Sequence, residues 1–229
     1  MPMKGSGPAT GWREIDRFEN GASGVGWIAH PEERMQRASH ALATEEGVYV
    51  VDPVDAEGVD DLLAEFGDVA GVVVLLDRHK RDAAAVARRH DVPVHVPDVM
   101  ADITGDLDAE TRVVRHDLDG SGFAVHGIID NPLWSEAVLY NEDDGTLVVP
   151  EALGTSSYFL AGDERLGVHP ALRMTPPKRL RRFDAERVLV GHGEGVLEDA
   201  ASAIDNAVSG ARGRAPRLYA QTLRSFLPV

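Results

Sequence analysis

The sequence contains no cysteine and only three lysines, Lys4, Lys80 and Lys178. Without cysteine, disulfide bonds and thiolate chemistry are excluded, and any metal site depends on histidine and carboxylate ligands. No apolar run reaches the roughly 18 residues that a membrane-spanning helix needs. Residues 1–11 form a polar Gly/Pro-rich segment without the apolar stretch of a secretory signal. We therefore expect a flexible lead-in over 1–11 and a single domain over 12–229.

Acidic residues greatly outnumber basic ones, with 38 Asp and Glu against 23 Lys and Arg and a net charge of −15. Such a surface repels the phosphates of nucleic acids. Its self-repulsion is screened at molar salt, where the Debye length falls to about 3 Å. Many acids with few lysines are typical of cytoplasmic proteins from salt-adapted organisms. We expect a halophilic, cytoplasmic protein with no nucleic-acid or membrane partner.

The first half of the chain alternates strand and helix patterns. A hairpin is predicted over Arg37–Thr44 and Val48–Pro53, and an amphipathic helix follows before Gly67. The continuous apolar run Gly71–Leu76 is typical of a strand covered on both faces. A helix over Ala83–Arg89 and a strand over Val92–Val96 complete a βαβ unit.

The second half has shorter strand patterns at close intervals. They are Glu110–His116, Gly122–Ile129, Glu136–Tyr140, Thr146–Pro150 and Glu186–Gly193. Two closing helices are predicted, one with Val196, Ala200, Ile204 and Val208 on one face and another that begins near Pro216. Sheets covered by helices within one domain are therefore expected.

Four motifs follow one another along the chain: the strand end "VVDP", the polar turn "DRHKRDA", then "LYNEDDGTLVVPEALG" and finally "VLVGHGEGV". Their order resembles that of the metallo-β-lactamase fold superfamily. The resemblance covers roughly Arg37 to Val208. It implies an α/β (α+β) fold, a metallo-β-lactamase-like four-layer αββα sandwich. Members of the superfamily hold one or two metal ions that activate water for hydrolysis.

The polar turn departs from the metal-binding motif of that superfamily, His-x-His-x-Asp-His. The resemblance places Arg78 and Lys80 where the first two histidines belong, matches Asp82 to the aspartate, and puts Ala83 in place of the third histidine. His79 falls between the ligand positions, so its side chain is expected to point elsewhere.

The remaining site positions follow from the later motifs. A further ligand histidine of the superfamily falls near Trp134, Glu151 takes the place of the bridging aspartate, and His192 matches outright. Asp77 follows the buried strand and is placed to orient Arg78. The resemblance implies this pocket: Asp77, Arg78, Lys80, Asp82, Trp134, Glu151 and His192.

Cations at ligand positions oppose metal binding, since protonated Lys and Arg have no lone pair to give. Two unit charges about 4 Å apart interact by roughly 4 kcal/mol at an effective dielectric of 20, and a divalent ion doubles this. We expect no dinuclear site and no cofactor. Instead, Arg78 or Lys80 would pair with Asp82 and Glu151 in a degenerate pocket with a scaffold or ligand-binding role.

One alternative stays open. Asp82, Glu151 and His192 could hold a single divalent ion (zinc, manganese or iron) and make the protein a mononuclear hydrolase. Whether the protein is an enzyme is not decided by the sequence. The same holds for its oligomeric state and for the small molecule that it would bind or cleave.

Three further features bear on the site. The matching superfamily position gives Asp52 a supporting role through hydrogen bonds. Isolated histidines, among them His126 and His169, are expected to be structural or exposed. The basic cluster Pro176–Phe183, "PPKRLRRF", has two interpretations: a solvated loop, or a rim that binds a phosphate or carboxylate beside the cleft.

Overall fold

The computed structural model describes residues 11–19 and 22–226, together with Met3 and Ala9, and the side chains up to Arg224. The predicted lead-in 1–11 therefore lies mostly outside the described residues. Within it, Ala9 is buried and forms a β-bridge with Ala56.

The first sheet has seven strands that lie side by side in sequence order. The first three neighbouring pairs along the sheet are antiparallel, and the last three pairs are parallel. The strands are β1 (Arg13–Phe18), β2 (Ser23–Ile28), β3 (Ala38–Thr44), β4 (Gly47–Val51), β5 (Val69–Val73), β6 (Val94–Pro97) and β7 (Thr111–Val114). The predicted hairpin and βαβ unit are both confirmed.

The second sheet has four strands, and a two-stranded ribbon accompanies it. The strands of the chain's second half are β8 (Ala124–Asn131), β9 (Trp134–Asn141), β10 (Thr146–Val149), β11 (Leu153–Gly154), β12 (Gly167–Val168) and β13 (Arg187–Val190). The sheet order is β13-β10-β9-β8, with β10 parallel to β13 and antiparallel to β9. Gly145, with φ of +68°, makes the predicted turn between β9 and β10.

Three α-helices flank the sheets: α1 (Val59–Ala64), α2 (Ala83–His90) and α3 (Ala200–Phe226). Short 3₁₀ segments occupy Asp98–Asp106, Pro170–Leu172 and Lys178–Arg182. One apolar core joins α1 and α2 to the first sheet and that sheet to the inner face of the second. Another core joins the outer face of the second sheet to α3. The predicted four-layer αββα sandwich is confirmed.

The prediction of two closing helices is wrong, because α3 continues through Pro216. Ile204, Val208, Ala211 and Leu218 share one buried stripe, so the helix keeps its register across the proline. Pro216 itself is exposed. Water can therefore bind the carbonyl that loses its helical hydrogen bond there.

The hairpin of β1 and β2 was not predicted. Its register shifts between Ile15 and Phe18, and Asp16 has a φ of +53°. This bulge breaks the alternation of apolar and polar residues by which strands are detected. Among the described residues, no helix has the length and apolar character that a bilayer crossing requires.

Candidate metal centre

Four polar side chains lie just beyond the ends of strands from both sheets. Asp52 follows β4, His79 follows β5, Glu151 follows β10 and His192 follows β13. All four are buried. The two sheets therefore deliver them to one place at the edge of the sandwich.

The orientation of His79 is fixed by Asp52. Nδ1 of His79 lies 2.9 Å from Oδ2 of Asp52, and Oδ1 of Asp52 accepts a hydrogen bond from the backbone N–H of Leu75 at 2.9 Å. Since a carboxylate accepts hydrogen bonds, the imidazole proton is on Nδ1. The Nε2 lone pair of His79 therefore lies on the opposite side of the ring, as in histidines that bind metals, and Nη2 of Arg81 is 3.5 Å from it.

His192 is held in the same tautomer by a backbone carbonyl. Its Nδ1 lies 3.0 Å from the oxygen of Met35, and its ring stacks on Phe159 with centroids 5.4 Å apart. Among the described residues, the buried Nε2 of His192 has no hydrogen-bond partner. Burial, with the nearby His79 and Arg81, lowers the pKa of His192 well below its usual value. The imidazole is therefore neutral, with its lone pair directed into the site.

Glu151 completes the group. Its Oε2 lies 3.5 Å from Nε2 of His79, and its Oε1 lies 3.4 Å from Nε2 of His169. Nη2 of Arg78 lies 3.5 Å from Oε2 of Glu151, and a positive charge at this distance favours the ionised carboxylate. The site therefore contains an ionised carboxylate.

His169 supports Glu151 from the side. The backbone N–H of Ala171 donates to Nδ1 of His169 at 3.2 Å, so the imidazole proton is on Nε2 and faces Glu151. Burial lowers the pKa of His169 to about 4. The sequence placed His169 among the structural histidines and gave no signal for its contact with Glu151.

His79, Glu151 and His192 form a group that fits one metal ion. Each offers one ligand atom, and these atoms all lie within 4.8 Å of one another. Around a tetrahedral ion, ligands at about 2.1 Å are about 3.4 Å apart, close to the 3.5 Å between His79 and Glu151. Two imidazoles and one carboxylate suit zinc or iron with open positions. The unpartnered Nε2 of His192 also matches such a ligand.

This group differs in one member from the predicted set of Asp82, Glu151 and His192. Oδ2 of Asp82 accepts a hydrogen bond from the backbone of Asp55 at 2.8 Å, at the start of α2, and Asp82 is not part of the group. The expectation that His79 points elsewhere is wrong. The turn after β5 directs His79, not Asp82, to Glu151 and His192.

Arg78 lies at the mouth of the site. Its Nη2 is 3.5 Å from Oε2 of Glu151, and its Nη1 is 3.2 Å from Oδ1 of Asp77. The guanidinium group lies over the ring of Trp134, 4.1 Å from the centroid. Asp77 is held in turn by the backbone N–H of Ser135 at 2.9 Å. With 41% of its side chain exposed, Arg78 is accessible to a ligand.

Beneath the mouth, Glu136 connects Trp134 to Glu151. Its Oε2 accepts a hydrogen bond from Nε1 of Trp134 at 2.6 Å, and its Oε1 accepts from the backbone N–H groups of Glu151 and Ala152 at 3.2 and 2.8 Å. Burial raises the pKa of Glu136 to about 7. The strand pattern "EAVLY" gave no indication that this glutamate is buried beside the site.

Lys80 does not fill the pocket. Its Nζ lies 2.7 Å from Oδ2 of Asp106, and both side chains are well exposed. Of the two cations predicted to pair with Asp82 and Glu151, Arg78 contacts Glu151 but not Asp82, and Lys80 contacts neither because it points to the surface.

A second, half-buried cation beside the site is Arg81. Its Nη2 lies 3.5 Å from Nε2 of His79. Its guanidinium group donates to three backbone carbonyls, those of Ala38 at 2.6 Å, Asp52 at 2.7 Å and Gly191 at 3.2 Å. Burial lowers the pKa of Arg81 to about 10, which leaves it charged at neutral pH. A fixed positive charge thus lies beside one of the three candidate metal ligands.

No protein-family model matches the sequence, and no curated protein matches it. Solved structures do match the fold. The DIM-1 metallo-β-lactamase is 13% identical, covers 92% of this chain and 99% of its own, and has a TM-score of 0.58. The metallo-β-lactamase from Hirschia baltica is 10% identical, with coverages of 86% and 96% and a TM-score of 0.58.

A third similar structure is the Flv1 flavodiiron core from Synechocystis sp. PCC6803. It is 11% identical, covers 90% of this chain and 62% of its own, and has a TM-score of 0.62. These likenesses, together with the αββα layers, define the class: the chain has the metallo-β-lactamase fold. At such low identities they show the fold alone.

Proposed function

We propose that the protein binds one divalent metal ion through Nε2 of His79, a carboxylate oxygen of Glu151 and Nε2 of His192, and that it is a mononuclear metal-dependent hydrolase. The observation that carries this proposal is the pair of fixed tautomers. Asp52 and the carbonyl of Met35 each hold an imidazole proton on Nδ1, so both Nε2 lone pairs converge with Glu151.

Each surrounding side chain has a role in this function. A bound ion would supply Lewis acidity and activate water for hydrolysis. Arg78, supported by Asp77 and by the face of Trp134, offers a guanidinium group to an anionic part of the substrate at the mouth. His169 keeps Glu151 oriented through its Nε2 proton. The substrate that fits is a small molecule with a negative charge near its scissile bond.

Arg81 favours a second candidate function. A cation 3.5 Å from Nε2 of His79 opposes a divalent ion. In a protein without metal, Arg78 and Arg81 would instead make the pocket a binding site for a small anionic molecule, and no hydrolysis would occur. This second function keeps the scaffold or ligand-binding role inferred from the sequence.

Metal analysis of protein purified without chelator distinguishes the two. We expect about one zinc, manganese or iron ion per chain, loss of the ion in His192→Ala and in His79→Ala, and retention in Asp82→Asn. The Asp82 variant is the matched control, since its carboxylate bonds to the backbone of Asp55 and not to the group.

A wild-type chain that takes up no ion, even when dialysed against each of the three metals, would refute the metal function and favour the anion-binding one. Loss of metal in Asp82→Asn with retention in His79→Ala would restore the ligand set inferred from the sequence.

A further inference from the structure

A second pocket, with a volume of about 610 Å³, lies outside the candidate metal centre. It opens between the start of the 3₁₀ segment Asp98–Asp106, the end of β7, strand β8 and the 3₁₀ segment Lys178–Arg182. None of the three candidate metal ligands lines it. Its principal side chains are Arg115, His116, His126, Arg179, Arg182 and Phe183.

The pocket is positively charged on a strongly acidic chain. It contains three arginines and one carboxylate, that of Asp98, which pairs with Arg115 at 3.0 Å. Within the part of the chain that the structure describes, Arg179 donates only to the carbonyl of Gly127, at 3.2 Å. Arg182 has no hydrogen-bond or ion-pair partner among the described residues. Two guanidinium groups are thus left without a carboxylate partner.

The geometry of the 3₁₀ segment places these two arginines together. With three residues per turn, positions 179 and 182 lie on the same side of the segment. Leu180 is fully buried and anchors the segment to the core, and Arg181 faces α3, where it pairs with Asp205 at 2.6 Å. Arg179 and Arg182 therefore line the pocket from one side of the segment, while Leu180 and Arg181 fix the segment to the core and to α3.

The pocket also has an aromatic wall. Phe183 packs edge-on against the ring of His126, with centroids 5.2 Å apart, and against Tyr140 at 5.0 Å. At Gly127, between His126 and Ile128, a Cβ atom would lie 2.8 Å from Cγ1 of Val99, so only glycine lets β8 approach this closely. The wall is partly apolar, and it lies next to two guanidinium groups that have no carboxylate partner among the described residues.

We propose that this pocket binds a small organic phosphate that carries a planar ring, of the kind found in a nucleoside monophosphate. The phosphate, with a charge near −2, lies between Arg179 and Arg182, whose planar forks match its oxygens. The ring lies against Phe183 and His126. The volume is within the roughly 300–1,000 Å³ of small-molecule sites. The proposal does not depend on the candidate metal centre.

Titration calorimetry with adenosine monophosphate tests the proposal. We expect a dissociation constant below about 1 mM, and binding at least tenfold weaker for adenosine and for inorganic phosphate. The double variant Arg179→Ala/Arg182→Ala should lose at least tenfold in affinity. Arg181→Ala, which removes the neighbouring charge that faces α3, should bind like the wild type, and so should His192→Ala.

Four results would overturn the proposal. They are no binding of the nucleotide to the wild type, equal loss in Arg181→Ala and in the double variant, equal affinity for inorganic phosphate, or equal affinity for benzoate. Circular dichroism of each variant would show that it is folded, so that a loss of binding reports on the pocket.

Discussion

Replacing Arg81 with methionine should strengthen metal binding while it weakens the fold. The guanidinium group lies 3.5 Å from Nε2 of His79, one of the three proposed metal ligands. A unit charge and a divalent ion about 4 Å apart repel by roughly 8 kcal/mol at an effective dielectric of 20. Delocalisation of the charge and the nearby carboxylates reduce this figure. We expect the substitution to strengthen zinc binding by about 3 kcal/mol, which corresponds to a dissociation constant about 100-fold lower.

The same substitution removes the donor of three buried carbonyl groups, those of Ala38, Asp52 and Gly191. Removing one partner of a buried charged network costs on the order of 3–5 kcal/mol. The Arg81→Met protein without metal should therefore melt at a lower temperature than the wild type. Because a ligand stabilises the fold in proportion to the logarithm of its concentration over its dissociation constant, the variant should gain more from added zinc.

Differential scanning calorimetry over a zinc series measures both effects. Lys80→Met is the matched control, because it removes a neighbouring cation whose Nζ pairs with Asp106 at the surface. Lys80→Met should leave the zinc dissociation constant within about twofold of the wild-type value. The reasoning is refuted if Arg81→Met and the wild type bind zinc equally tightly.

Three further predictions concern single carboxyl groups, Asp52 and Glu136 beside the site and Asp16 in the bulge of β1. Asp52→Asn, which no longer fixes the tautomer of His79, should weaken zinc binding about 10- to 100-fold; an unchanged affinity by calorimetry would show that this hydrogen bond is dispensable. Glu136→Gln places an amide N–H against groups that also donate, so the free energy of unfolding, measured with denaturant, should fall by about 1–3 kcal/mol. An unchanged free energy of unfolding would contradict the proposed donor arrangement. Burial raises the pKa of Asp16 to about 7 from an ordinary 3.8, so the folded state binds more protons between those values and wild-type stability falls as the pH rises from about 4 to 7. The stability difference between Asp16→Asn and the wild type should therefore grow by about 1.4 kcal/mol per pH unit over that range, and parallel stability curves would exclude this effect.

Much of the fold could be predicted because the apolar pattern of each element matches its burial. The run Gly71–Leu76 is buried throughout, as expected of a strand that is covered on both faces. Pro216 misled the prediction, since a proline on the exposed face of an amphipathic helix does not have to end it. The β1–β2 hairpin was missed because its bulge at Asp16 breaks the periodic signal.

The candidate site could be predicted only where a ligand follows a strand directly. Glu151 and His192 come immediately after β10 and β13, so motif order located both. His79 lies in a tight turn, where spacing does not determine which side chain points inward. Its partner, Asp52, is 27 residues away in the chain. The same turn, in which Arg81 has a φ of +38°, sends Lys80 outward and Arg81 inward.

The carboxylate of Glu136 has a consequence for how this protein would respond to what it binds. One of its oxygens holds the indole on which Arg78 rests, and the other holds the backbone of Glu151. A molecule that displaces the indole of Trp134 would therefore also shift Glu136 and, through it, the backbone of Glu151. If Glu151 binds an ion as proposed, ligand entry at the surface and ion binding below it would be coupled through the side chain of Glu136.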